Sequence, residues 1–148
     1  DRFMIRLSMG YPSHDAAVQI LKGQEFVPIN GVNLVVSREE LVELQKKTNS
    51  LSVHDSIFDY IVTLIEKTRN NEYFALGASP RGANSLLRMS RAMALLSGRN
   101  YVVPDDIEAV FTAVLGHRVK LSSRARANGF TVDTALEEVR KSVKLPRT

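Results

Sequence analysis

The 148-residue sequence predicts a mainly α protein: a helical bundle with a short N-terminal strand and a small β-hairpin ahead of it. Three observations carry that expectation. Apolar residues recur at helical spacing in four segments from Ser37 onward and again near the C-terminal end. Cap signals stand in front of most of those segments. Period-two alternation and the Asn-Gly turn signal are confined to the stretch before Ser37.

In chain order, Phe3, Ile5, Leu7 and Met9 fall on one side and Met4, Arg6 and Ser8 on the other, the pattern of a half-buried strand. Gly10-Tyr11-Pro12 ends it. Ser13 then caps a short helix to about Lys22, with Asp15 in its first turn and Gly23 as the stop. The run Phe26 to Ile29, the pair Asn30-Gly31 and the run Val32 to Val36 predict a hairpin near 26–36, with Pro28 keeping the first run at an edge.

Ser37-Arg38-Glu39-Glu40 has capping-box spacing, and Leu41 and Leu44 begin an apolar face. Ser52 and Asp55 signal the start of the next helix, whose stripe is Val53, Ile57, Tyr60, Ile61 and Leu64. Ser79-Pro80 opens a third, with Leu86, Met89, Met93 and Leu96 on one face until Gly98. Pro104-Asp105-Asp106 opens a fourth, since proline suits the first helical position and acids favour the positive end of the dipole. Its stripe is Ile107, Val110, Phe111, Val114 and Leu115. Ser122 to Gly129 is polar and basic and reads as an exposed loop before a last amphipathic helix from about Thr131 to Val143. A lone strand leaves its edges unsatisfied, so the N-terminal strand implies a neighbouring domain and a chain that is a piece of something longer.

Composition sets wide bounds. The hydrophobic fraction of 44% and charged fraction of 24% are those of a globular domain with a core. A net charge of +4 is compatible with phosphate-bearing partners without requiring them. The absence of cysteine excludes disulfides, thiolate metal sites and cysteine nucleophiles, and fits a reducing compartment. No apolar run approaches the roughly 18 residues a membrane span needs.

Catalytic signatures are absent. There is no G-x-x-x-x-G-K-S/T loop to cradle phosphates, no G-x-S-x-G elbow and no H-E-x-x-H, and His14, His54 and His117 are far apart in sequence. Arg81 is the informative residue. Ser79-Pro80-Arg81 puts a cation in the first turn of a helix, unfavourable by a few tenths to about 1 kcal/mol unless an anion arrives. Free N–H groups, dipole and guanidinium together make an anion site; the plain alternative is a solvated or acid-paired arginine. Arg88, Arg91 and Arg99 continue the same helix, and Arg81, Arg88 and Arg99 lie within about 20° of one azimuth. That stripe could meet nucleic acid or an acidic partner, or be a solvated flank bridged to the next helix.

Three motifs in order resemble the MoxR-type AAA+ ATPases: Leu76-Gly77-Ala78-Ser79-Pro80-Arg81, then Gly98-Arg99-Asn100-Tyr101-Val102-Val103-Pro104-Asp105-Asp106, then Val114-Leu115-Gly116-His117-Arg118. Asp1-Arg2-Phe3 with Met9-Gly10-Tyr11-Pro12 is similar to the family's run after sensor 1, and Val53 to Arg69 matches in pattern. Gly82, Gly116 and Asn100 depart from it, and glycine there is expected to loosen the helices slightly.

The resemblance implies an AAA+ lid. Residues 1–12 would be the tail of the α/β ATPase core, and residues 13–148 the lid with its hairpin insertion. Arg81 would be the sensor 2 arginine contacting the phosphates of ATP, with Ser79, Pro80, Tyr11 and Pro12 beside the nucleotide. Arg2 would be the arginine finger reaching a neighbouring subunit's site, and Mg2+ would be held by the core domain. The resemblance further implies a cytoplasmic homo-oligomeric ring, a hexamer, that remodels partner proteins, von Willebrand factor A domain proteins among them. Without Walker A and Walker B motifs the chain alone is expected to be inactive. The other readings are a helical nucleic-acid-binding module using Arg81, Arg88 and Arg99 with Arg124 and Arg126, and a protein-interaction bundle with no nucleotide role.

Overall fold

The computed structural model describes residues 2–23, 31 and 33–146. Its helices are α1 (His14–Leu21), α2 (Arg38–Ser50), α3 (Asp55–Arg69), α4 (Pro80–Leu96), α5 (Pro104–Leu115), α6 (Ser123–Ala127) and α7 (Val132–Lys141). Two short strands, β1 (Phe74–Leu76) and β2 (Lys120–Leu121), pair antiparallel with Phe74 opposite Leu121. The chain divides into two compact units: Asp1–Arg6 with Lys46–Thr148, and Leu7–Gln45.

The core belongs to the larger unit. Ile57 and Leu64 of α3, Leu86 of α4, Ile107, Phe111, Val114 and Leu115 of α5, and Leu136 and Val139 of α7 are all fully buried. The stripes expected on α3, α5 and α7 are thus the faces that pack. On α4 the expected face is rotated. Leu96 is 82% exposed and Met89 and Met93 are only partly covered, while Gly82, Ser85, Leu86, Ser90 and Ala94 are buried. The reason is close packing of α4 on α5: a Cβ added at Gly82 would lie 3.3 Å from Leu115 Cδ2. Small residues let the two helices approach, and a side chain at Gly82 would need Leu115 to give by a few tenths of an ångström. Ser90 satisfies its buried hydroxyl within the helix, donating to the Leu86 carbonyl at 2.9 Å.

Several local expectations change. The strand from Phe3 to Met9 does not form; residues 2–10 are irregular, and Phe3, Leu7 and Met9 are exposed. A strand needs a neighbouring strand for its N–H and C=O groups, and no strand among the described residues pairs with it. The start of α3 is capped by His54, whose Nδ1 accepts the Ser56 N–H at 3.2 Å, and not by Ser52. Ser52 is taken up in a parallel bridge, donating to Asn100 O and accepting from Val102 N. The expected loop 122–129 contains α6, because Ser122 Oγ accepts the Ala125 N–H and Ala125 is buried. β1 and β2 went unread, being too short to show a period.

In the smaller unit the cap signals hold. Ser13 Oγ accepts the Ala16 N–H ahead of α1. Ser37 and Glu40 exchange reciprocal bonds ahead of α2, which hold the Glu40 carboxyl below its ordinary value. The hairpin expected near 26–36 falls mostly on 24–30 and 32, outside the described residues; Asn33 to Val36 form no strand.

Candidate anion site at the start of α4

The segment leading into α4 is held by the C-terminal end of α3. Thr68, fully buried, donates its hydroxyl to Ile65 O at 2.7 Å and accepts the Ala78 N–H at 2.9 Å. Arg69 Nε donates to Ala78 O at 2.7 Å. Gly77 lies so close that a Cβ there would stand 2.6 Å from Thr68 O and 2.7 Å from Arg69 Cα. Both polar groups of Ala78 are therefore fixed by consecutive residues of one helix, and the turn that follows has a defined position.

Ser79 is the N-cap of α4, with extended backbone (φ −84°, ψ 167°), and Pro80 occupies the first helical position. Ser79 O accepts from Gly82 N at 2.8 Å and from Ala83 N at 3.3 Å. Pro80 has no N–H, so fewer free amides remain in this turn than the sequence implies. The positive charge here is mainly that of the Arg81 side chain, which is exposed on a first turn with no acidic residue.

A second guanidinium lies close by. Arg118, 7% exposed, follows α5, and the Cβ that Gly82 lacks would sit 3.6 Å from its Cδ. Arg118 Nε donates to Val114 O at 2.9 Å, and Nη2 donates to the Phe3 and Met4 carbonyls. Burial first, and then the Arg81 charge, push the Arg118 guanidinium below its ordinary value. The Arg118 guanidinium is committed to main-chain carbonyls, so the exposed Arg81 is the group that can meet an incoming anion, and a phosphate matches guanidinium geometry.

Arg99 has another task. Its guanidinium binds Asp106 bidentately, with Nη1 2.7 Å from Oδ2, and Asp106 Oδ2 also accepts the Val103 N–H at 2.9 Å. Val103 has no polar side-chain atom, so only this half of a capping box can form at the start of α5. The motif from Gly98 to Asp106 is thus a brace between α4 and α5, and the basic stripe loses Arg99 to it. Among the remaining expected site residues, Arg2 is exposed at the head of the larger unit. Tyr11 and Pro12 belong to the smaller unit and are exposed. Arg118 and His117 went unrecognised as site residues from sequence, although the motif containing them had been noted; no spacing rule marks a buried arginine that binds main chain.

The profile of the AAA lid domain family matches residues 66–139, from the end of α3 to α7. The chain belongs to the AAA lid domain family. Its relatives place this lid with the MoxR type. It is 37% identical over 147 residues to YeaC of Bacillus subtilis, covering 99% of this chain and 46% of that protein. It is 31% identical over 156 residues to chaperone MoxR1 of Mycobacterium tuberculosis, covering 99% of this chain and 41% of that protein. A solved structure of a candidate ATPase from Cytophaga hutchinsonii superposes with a TM-score of 0.83 at 26% identity, over 99% of the lid chain and 47% of the other. The lid chain spans less than half the length of these relatives. No helix among the described residues is long and apolar enough to cross a membrane.

Proposed function

We propose that the chain closes over ATP bound to the core domain of a MoxR-type AAA+ ATPase, with Arg81 as sensor 2. The observation that carries this reading is Arg81 itself: an exposed cation on the positive end of a 17-residue helix, beside a second arginine, on a turn braced by Thr68 and Arg69. On this reading residues 1–12 are the tail of the α/β core and residues 13–148 the lid. Ser79 and Pro80 set the backbone that aims Arg81, and Tyr11 and Pro12 lie near the nucleotide. Arg81 draws charge from the phosphates, and Arg2 serves as the arginine finger at a neighbouring subunit's site. Bound ATP supplies the transferable phosphoryl group, with its Mg2+ held by the core. What the lid's residues contribute is positioning and charge stabilisation.

The wider reading is a cytoplasmic hexameric ring that couples hydrolysis to remodelling of partner proteins, including von Willebrand factor A domain proteins. The name of one relative, chaperone MoxR1, supports the chaperone part of it. The nucleic-acid reading loses one of its five arginines, because Arg99 is committed to Asp106.

Arg81→Ala in the complete ATPase tests the central claim. Turnover should fall by about tenfold or more, the loss of one charge-stabilising contact, while ATP binding is weakened less. Steady-state kinetics with unchanged turnover would remove Arg81 from the site.

A further inference from the structure

Arg2 stands at the exposed head of the larger unit, and the residue after it is no anchor by burial, since Phe3 is 80% exposed. The segment is held by its main chain instead. The Phe3 carbonyl accepts from Arg118 Nη2 and lies 2.9 Å from His117 Nε2. A carbonyl only accepts, so His117 carries its proton on Nε2. Arg118 Nη2 also reaches Met4 O at 3.4 Å, and Arg6 N–H donates to Ala113 O at 3.0 Å. The C-terminal end of α5 and the two residues beyond Gly116 therefore grip the backbone one residue from Arg2.

Arg118 faces two ways. Its Nε is tied to Val114 O, and its stem lies against the first turn of α4 at Gly82, the residue after Arg81. A shift of the Arg81 turn towards α5 would press on the Arg118 stem, whose guanidinium holds the Phe3 and Met4 carbonyls.

We infer that Arg118, with His117, is a positioning residue for Arg2, linking the turn that carries Arg81 to the backbone that carries the finger. The inference rests on the reading of Arg2 as an arginine finger. Its consequence is that the state of one subunit's nucleotide, felt at Arg81, adjusts the residue offered to the neighbouring subunit. The simpler role for Arg118 is to cap α5 through Val114 O, and the two roles predict different kinetics.

The test uses the complete, assembled ATPase and compares Arg2→Ala, Arg118→Lys and His117→Ala with the double variants that combine each of the last two with Arg2→Ala. Arg118→Lys should lower kcat by up to about a hundredfold, the loss expected for a charged group misplaced by about 1 Å. The KM for ATP should change by less than about twofold, because ground-state binding is not the step affected. His117→Ala should lower kcat in the same direction by less. Each double variant should be no slower than Arg2→Ala alone, since misplacing a side chain that is already gone has no further effect. Single variants with normal kcat, or double variants losing the product of the single effects, overturn the inference. If Arg118→Lys lowers the thermal midpoint, His117→Ala, which leaves the Val114 bond intact, decides the matter by the same comparison. An Arg2→Ala variant with normal kcat is a separate result, visible without either partner substitution, and it removes the reading of Arg2 itself.

Discussion

Gly77, four residues before Arg81, sits against the C-terminal end of α3 with no room for a side chain. The atoms that a Cβ would meet are main chain of Thr68 and Arg69, at 2.6 to 2.7 Å, and main chain of a packed helix cannot yield as a flexible side chain does. Gly77→Ala should therefore destabilise by about 2 kcal/mol or more, an overpacking cost, and should loosen the bonds that fix Ala78. Chemical denaturation measures the first effect; an unchanged midpoint would mean that the turn can move away from α3. Gly82 differs from Gly77 in that its nearest neighbours, Leu115 among them, are side-chain atoms, which can give where main chain cannot. Asp106 shows the same principle in a polar setting. It is 4% exposed, and it is stable there because Arg99 and the Val103 N–H together satisfy its carboxylate.

At the scale of the elements, α3, α5 and α7 are joined by one polar cluster at the edge of the apolar core. Arg140 of α7 pairs with Glu108 of α5 at 2.6 Å and with Glu137 one turn earlier, and Tyr60 of α3 donates to Glu108 at 3.4 Å. Burial first, and then the Glu108 charge, push the Tyr60 phenol up to about 12. The unfolded chain ionises this phenol near pH 10, so the fold binds its proton more tightly than the unfolded chain does. Stability from this group is complete below about pH 10 and is lost as pH rises towards about 12. Tyr60→Phe should remove that alkaline loss while costing no more than about 1 kcal/mol at neutral pH, where only one long hydrogen bond disappears. Thermal unfolding of both proteins from pH 8 to 12 checks this; parallel curves would show that the phenol is not the group responsible.

For the molecule as a whole, every buried hydrophobic residue among those described lies between Leu51 and Val139, within the larger unit. Residues 46–148 alone should then fold cooperatively, with helices α3 to α7 and a single unfolding transition. Loss of near-ultraviolet circular dichroism in that fragment would show that residues 1–45 supply something the core needs. The 148-residue chain, with no phosphate-binding loop in its sequence, should show no ATP turnover by itself. Its contribution to hydrolysis, on the reading proposed above, begins only when a core domain brings a nucleotide to Arg81.

Much of this was legible in the sequence because it is local. Helical periods, serine caps, the proline openings of α4 and α5, and the motif around Arg81 depend on residues within a turn or two of each other. The sequence also read the AAA lid family correctly from three short motifs. What it could not show are effects set by distant partners. The strand from Phe3 to Met9 has the right alternation, but alternation without a neighbouring strand gives no ladder. The buried face of α4 follows from how closely α5 approaches Gly82, and not from where its largest apolar residues lie. In the sequence His117 and Arg118 are only the last two residues of a motif, and only the folded chain brings Phe3, 115 positions away from Arg118, to their side chains. Sequence determined every helix but α6 and which arginine stands on an open first turn; tertiary structure decided what holds that turn and what lies beside it, since both depend on main-chain atoms that no side-chain pattern records.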